Sequence, residues 1–104
     1  VSGKKFDGGK PRISLVPLKQ FWMVIDVLEF GARKYAEDNW KRVAGARVRY
    51  FDAAMRHISS WWNGEKTDPE TDLPHLAHAI CCLLFLMWLD DNPTSEAEGP
   101  ANAE

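Results

Sequence analysis

The sequence predicts an all-α fold, a small helical bundle completed by oligomerisation, and three observations carry that reading. Apolar residues recur at spacings of three and four through two segments. A third segment, Ala79 to Leu89, is apolar for eleven residues without a break; it is too short for the ~20 residues of a bilayer crossing and too apolar to face water. No stretch alternates with the period of a strand, and no internal repeat is present. Two amphipathic helices can hardly surround a third that is apolar on every side. Either further helix is hidden in the N-terminal part or subunits associate around the third helix, and association into a homodimer or homotetramer is the favoured expectation.

The elements follow in chain order. Residues 1–17 read as a basic N-terminal arm, because Gly8, Gly9 and Pro11 exclude a helix. Their backbone N–H groups beside Lys5, Lys10 and Arg12 offer an anion cradle, with a solvated arm as the plainer alternative. A helical domain is expected over 18–91. Its first helix, Leu18 to Tyr35, follows a proline and carries Phe21, Val24, Ile25, Leu28, Ala32 and Tyr35 at helical spacing, with Asp26 and Glu29 sharing another face. Ala36 to Gly45 is a connecting loop holding Asn39 and Trp40. The second helix, Ala46 to Asn63, has the stripe Val48, Phe51, Met55, Ile58, Trp62 and is stopped by Gly64. A carboxylate-dense loop leads to a third helix from about Pro74 to Asp90, capped by Asp72 or a neighbour. Residues 92–104, with two prolines and no large apolar residue, read as a disordered acidic tail.

Charge and cysteine content narrow the function. Residues 1–57 hold 12 of the 13 Lys/Arg against 6 acids, whereas residues 58–104 hold one lysine against 9 acids, and the net charge is −2. A nucleic-acid polymer is not the expected partner, because such proteins carry an excess of base. The split suits a site with a phosphate-binding side and a metal-binding side. Cys81 and Cys82 are adjacent within the apolar run, where they build no disulfide framework and indicate packing in a reducing compartment. With no secretory signal pattern and no membrane span, a cytoplasmic location is expected.

Candidate chemistry gathers in the second half of the chain. His75 and His78 are three apart at the start of the third helix, with Cys82 four residues further along the same stripe, a spacing that can hold zinc or simply satisfy a helix contact. Glu65, Asp68, Glu70 and Asp72 place four carboxylates within eight residues. Hard divalent ions favour such oxygens, and Mg²⁺ commonly joins one or two of them to substrate phosphates; a solvated turn is the alternative. His57 precedes that loop and His75 follows it, so antiparallel helices would bring both to its ends. Trp40 could stack on a base and Asn39 could read its edge, with core packing and turn formation as the plainer roles. There is no phosphate-binding glycine loop of the Walker type and no nucleophile elbow.

Taken together, the ordered blocks Lys5-Phe6-Asp7-x-Gly9-Lys10-Pro11-Arg12, Phe30-Gly31-Ala32-x-Lys34-Tyr35, Asn39-Trp40, Arg56-His57-x-x-x-Trp61-x-x-Gly64-Glu65-x-x-Asp68-x-Glu70 and Leu73-x-His75-Leu76-Ala77-His78-Ala79 resemble the phage-associated dATP/dGTP diphosphohydrolase N-terminal domain family. The resemblance runs from about Lys4 to Leu89. It implies an all-α pyrophosphohydrolase, a helical dimer or tetramer that uses Mg²⁺ or Mn²⁺, with Co²⁺ or Zn²⁺ as alternatives, to release pyrophosphate from purine deoxynucleoside triphosphates in a host-cell cytoplasm. On that reading Lys5, Lys10, Arg12, Lys34, Asn39, Trp40 and Arg56 bind the nucleotide. Glu65, Asp68 and His57 are the catalytic candidates, and Glu65, Asp68, His75 and His78 the metal ligands. The wider superfamily carries Glu-x-x-Glu and Glu-x-x-Asp pairs on successive helices; here the nearest pairs are Asp26-x-x-Glu29 and Glu65-x-x-Asp68, and His75-x-x-His78 stands where carboxylates are expected. The incomplete carboxylate set keeps a second function open, a non-catalytic phage sponge that sequesters a nucleotide-derived defence signal.

Overall fold

Four helices carry the chain in the computed structural model, which describes residues 2–100. They are α1 (Leu18–Lys34), α2 (Ala46–Trp62), α3 (His75–Asp91) and the single turn α4 (Ser95–Glu98). Short 3-10 turns occupy Ile13–Leu15 and Asn39–Arg42. No strand occurs among the described residues, and only an isolated antiparallel bridge pairs Thr67 with Pro74. The all-α expectation holds, with the three long helices within two residues of their expected ends.

The apolar helix α3 is the axis on which the others pack. Its first half meets α1 through Val24, Val27, Ala77 and Cys81, with Met23, Leu28, Leu73 and Phe85 packed around them. Its far end meets the start of α2 and α4 through Leu89, Ala46 and Ala97, flanked by Val43, Tyr50 and Trp88. The start of α2 thus lies against the end of α3, so the two helices run antiparallel. Buried alanines at 46, 54, 77 and 79 permit that close approach, because interaxial distance follows side-chain size. The Cys81 thiol donates to the Val24 carbonyl at 3.5 Å. Burial pushes the Cys81 thiol up to about 12 and the Cys82 thiol up to about 11, so both stay protonated packing groups, free of any disulfide.

Three expectations are corrected. The α1 stripe turns its Val24–Val27 side inward, leaving Phe21 and Tyr35 44% and 64% exposed, because only α3 is present to cover it. Asp72 does not cap α3. It adopts a left-handed backbone (φ 57°), and Pro74 begins the helix without a side-chain cap. The stretch read as a disordered tail folds back instead: Thr94 Oγ1 accepts from Ala97 N at 3.0 Å, Ala97 is buried against Ala46 and Leu89, and Glu96 O accepts from Gly45 N at 2.8 Å. The last part of that expected tail, residues 101–104, lies outside the described residues, as does Val1 of the arm.

Large apolar side chains stay exposed on α2 (Val48, Phe51, Met55) and on α3 (Ile80, Leu83, Leu84, Met87), as expected for a helix that two neighbours cannot enclose.

An Ala97→Asp substitution places a carboxylate in the dry Ala46–Leu89 contact and is expected to cost about 2 kcal/mol of stability. A thermal or urea melt checks this; a mobile tail would register no change.

Candidate functional site

Backbone geometry at the end of α2 brings the site together. Gly64 takes a positive φ of 100°, its N–H donates to Trp61 O and the Glu65 N–H donates to Ser60 O, both at 3.0 Å. This is the Schellman stop, which needs a left-handed residue just past the helix. The chain then forms a short hairpin-like loop: His75 N donates to Lys66 O at 2.9 Å and Asp68 N to Leu73 O at 2.8 Å. Glu65 and His75 therefore face each other across the base of the loop, while the antiparallel run of α2 carries His57 alongside.

His75 is the centre of the cluster. It is buried, at 3% exposure, and both ring nitrogens are engaged. Nδ1 lies 2.8 Å from His57 Nδ1, and Nε2 lies 2.6 Å from Glu65 Oε1. His57 stacks on His78 with centroids 4.6 Å apart and planes 12° apart, and His78 Nε2 meets Thr71 Oγ1 at 2.7 Å. Thr71 Oγ1 also accepts from Leu73 N at 3.2 Å. Asp68 Oδ1 accepts from Glu70 N at 2.8 Å and Thr71 N at 3.2 Å, a turn built by the side chain itself. Burial, followed by the neighbouring His78 and His75, lowers the His57 pKa to about 4. Burial likewise leads in lowering that of His78. For Asp68, burial pushes up, but the two backbone N–H donors and the nearby imidazoles outweigh it and hold the carboxyl below its ordinary value. At neutral pH the site thus contains the Asp68 carboxylate beside the neutral imidazoles of His57 and His78.

Those protonation states fit a divalent cation, which requires deprotonated ligands. One ligand atom each from His57, Asp68 and His75 lies within 4.8 Å of the others. Two nitrogens bound at about 2.1 Å to one ion stand roughly 3.0–3.4 Å apart, close to the observed 2.8 Å between the two Nδ1 atoms. His57 would move from the set of catalytic candidates to that of ligands. Glu65 sits on the far ring nitrogen of His75, and His78 is turned to Thr71, so neither joins this group of three.

A cavity of about 600 Å³ opens beside the cluster. His57, His78 and Glu70 line one part of it, and Asn39, Trp40, Tyr50 and Phe85 another, with Lys34, Cys81 and Cys82 in the wall. Trp40 stacks on Phe85 with centroids 4.4 Å apart and planes 12° apart, so one of its faces is already occupied. Lys34 Nζ meets Glu70 Oε2 at 2.8 Å. Lys34, Asn39 and Trp40 thus share the wall of this one cavity. Lys5, Lys10 and Arg12 are exposed on the arm and are absent from the cavity wall, as is exposed Arg56; the Asp26–Glu29 pair stays exposed on α1. Sequence reasoning missed Thr71 and Tyr50. A threonine two residues before an x-Pro helix start and a tyrosine on the inner face of α2 carry no pattern of their own.

The family described as dATP/dGTP diphosphohydrolase, N-terminal, matches residues 1–98. A protein of Salmonella phage PMBT28 named dATP/dGTP diphosphohydrolase is 39% identical over 98 residues, covering 92% of this chain and 33% of that protein. The chain thus spans about one third of the length of that relative. No solved structure matches. No helix among the described residues is long and apolar enough to cross a membrane.

In metal-stripped protein, an NMR titration is expected to show the His57 ring neutral through pH 5, with a midpoint near pH 4. The folded value lies below the ordinary 6.5, so the unfolded chain takes up the proton first and stability falls as pH drops from 6.5 toward 4. His57→Gln should flatten that part of the pH–stability curve.

Proposed function

The chain belongs to the dATP/dGTP diphosphohydrolase N-terminal family, and on that premise we propose a metal-dependent pyrophosphohydrolase that converts purine deoxynucleoside triphosphates to the monophosphate and pyrophosphate. The observation that carries this reading is the convergence of His57, Asp68 and His75 beside a cavity whose wall combines aromatic rings with Lys34. The name of the phage relative supplies the purine deoxynucleotides, and the aromatic wall of Trp40, Tyr50 and Phe85 suits a base.

In the reaction, the oxygen of a water molecule forms a bond to the α-phosphorus. The bond from that phosphorus to the oxygen bridging to the β-phosphate breaks, its electron pair leaves with pyrophosphate, and the water's proton passes to solvent. His57, Asp68 and His75 would hold a divalent ion, and such an ion would supply Lewis acidity toward phosphoryl oxygens. The protein's own groups bind and orient: Lys34 neutralises phosphate charge at the mouth, Asn39 faces the base edge, and the aromatic residues exclude water from the base. His57, held neutral by burial, keeps a lone pair available at neutral pH.

Self-association belongs to the same proposal. The exposed apolar faces of α2 and α3 exceed what a solitary small domain tolerates, and a homodimer or homotetramer would cover them. The phage relative supports action in a host-cell cytoplasm.

Two measurements test these points. With dGTP or dATP and Mn²⁺, Mg²⁺ or Co²⁺, chromatography should show monophosphate and pyrophosphate accumulating in equal amounts. His57→Ala and Asp68→Ala should lower the rate about 100-fold or more, and Lys34→Ala should raise KM about tenfold. Intact nucleotide recovered from a tight stoichiometric complex would replace the enzyme with a sequestering protein. Light scattering on the eluting protein should give two or four chain masses, and a monomeric mass would remove the association.

A further inference from the structure

We propose that the centre selects a borderline transition-metal ion of the Mn²⁺, Co²⁺, Zn²⁺ class over Mg²⁺, and that Glu65 is the positioning residue that makes it do so by fixing the His75 tautomer. This rests on the reading that a divalent ion occupies the centre, and it adds which class of ion and why.

The donor atoms carry the first half. His57 and His75 bring imidazole nitrogens and Asp68 one carboxylate to within 4.8 Å of one another. Imidazole suits first-row transition ions, whereas Mg²⁺ demands near-octahedral oxygen and gives up its waters reluctantly. Of the loop's four carboxylates, two are already committed elsewhere, Glu65 to His75 Nε2 and Glu70 to Lys34. An oxygen-only site is not what these side chains build.

The supports carry the second half. Each of the three donors is held by a group that is not itself a donor. Glu65 Oε1 at 2.6 Å from His75 Nε2 takes that nitrogen's proton in a hydrogen bond, which leaves the lone pair on Nδ1, the atom facing His57 at 2.8 Å. At 3% exposure the ring has no room to turn over. The His57 ring is held by its stack on His78, itself anchored to Thr71. Asp68 is held through Oδ1 by the backbone N–H groups of Glu70 and Thr71. Carboxylate–histidine pairs of this kind orient metal-binding imidazoles and raise their basicity. A merely solvated acidic turn has no need of any of the three.

The test uses the intact protein stripped with EDTA and titrated with Co²⁺ alone, read by its visible ligand-field absorption. One equivalent is expected to bind with a nitrogen-containing spectrum, to be displaced by Zn²⁺ near stoichiometry, and to resist a roughly hundredfold excess of Mg²⁺. Glu65→Ala should weaken Co²⁺ binding about 10- to 100-fold. Glu65→Gln, whose amide oxygen still accepts from Nε2–H, should recover most of that loss. Displacement of Co²⁺ by Mg²⁺ at comparable concentration, or unchanged Co²⁺ affinity in Glu65→Ala, overturns the proposal. Should Glu65→Ala fail to fold, the imidazole ¹⁵N spectrum of the wild-type protein decides, and a His75 proton on Nδ1 overturns it equally. Co²⁺ binding without nucleotide hydrolysis would sink the proposed reaction and leave this inference standing. Hydrolysis sustained by Mg²⁺ with no Co²⁺ spectrum would do the reverse.

Discussion

A histidine buried at the first turn of an apolar helix has to find partners for both ring nitrogens, and His75 finds them on two different elements. Glu65 reaches it from the loop and His57 from α2, while its own backbone N–H is taken by Lys66 O. Burying an imidazole without such partners would cost about 1–3 kcal/mol per unsatisfied group, so the register of α2 against α3 is tied to this one side chain. The Schellman stop at Gly64 serves the same end. Were α2 to continue by one turn, Glu65 would rotate away from the ring and the loop could not close over Asp68.

The electrostatics follow from that packing. Three imidazoles in contact cannot all be charged, because like charges at such separations oppose ionisation, and burial pushes in the same direction. His57 and His78 are thus neutral groups next to a carboxylate whose two backbone hydrogen bonds keep it ionised. The molecule spends its polar groups on geometry here: Thr71 Oγ1 serves Leu73 N and His78 at once, and Asp68 Oδ1 serves two amides. No buried side-chain nitrogen or oxygen among the described residues lacks a partner, as a rigid polar cluster requires.

Much of this was legible in the residues themselves. Periodicity placed α1 and α2 and the unbroken apolar run placed α3, because each is long and its boundaries are strong: Gly64 after α2, and a proline before α1 and α3. Lys34, Asn39, Trp40 and His57, which come from separate blocks of the sequence, all line one cavity. What the residues hid is division of labour. A carboxylate that holds a histidine and one that faces an ion look alike in sequence, and only the hairpin's register separates Glu65 from Asp68. The α4 turn was hidden for a different reason: Ala97 is buried against Ala46 and Leu89, and no hydrophobic pattern announces a single small residue. The arm's cations Lys5, Lys10 and Arg12 stay exposed and away from the cavity wall, since a loop's composition does not say which way it leaves the body.

That leaves the charge at the cavity mouth to account for. Lys34 is the one Lys or Arg in the cavity wall, and Glu70 already holds it at 2.8 Å, with side chains 39% and 59% exposed. Hydrogen bonding to Glu70, then to Tyr35, raises the Lys34 pKa, so the ammonium is charged throughout the neutral range. An exposed pair of this kind contributes little to stability, far less than a charge-assisted bond to an anion in a partly enclosed cleft. A phosphate can therefore take Lys34 from Glu70 at little cost. Glu70 is joined to Asp68 through its backbone N–H, so the carboxylate that holds the cation and the acid of the cluster sit on one turn of the loop. Whatever displaces Glu70 from Lys34 would therefore act on the same turn that presents Asp68 to His57 and His75.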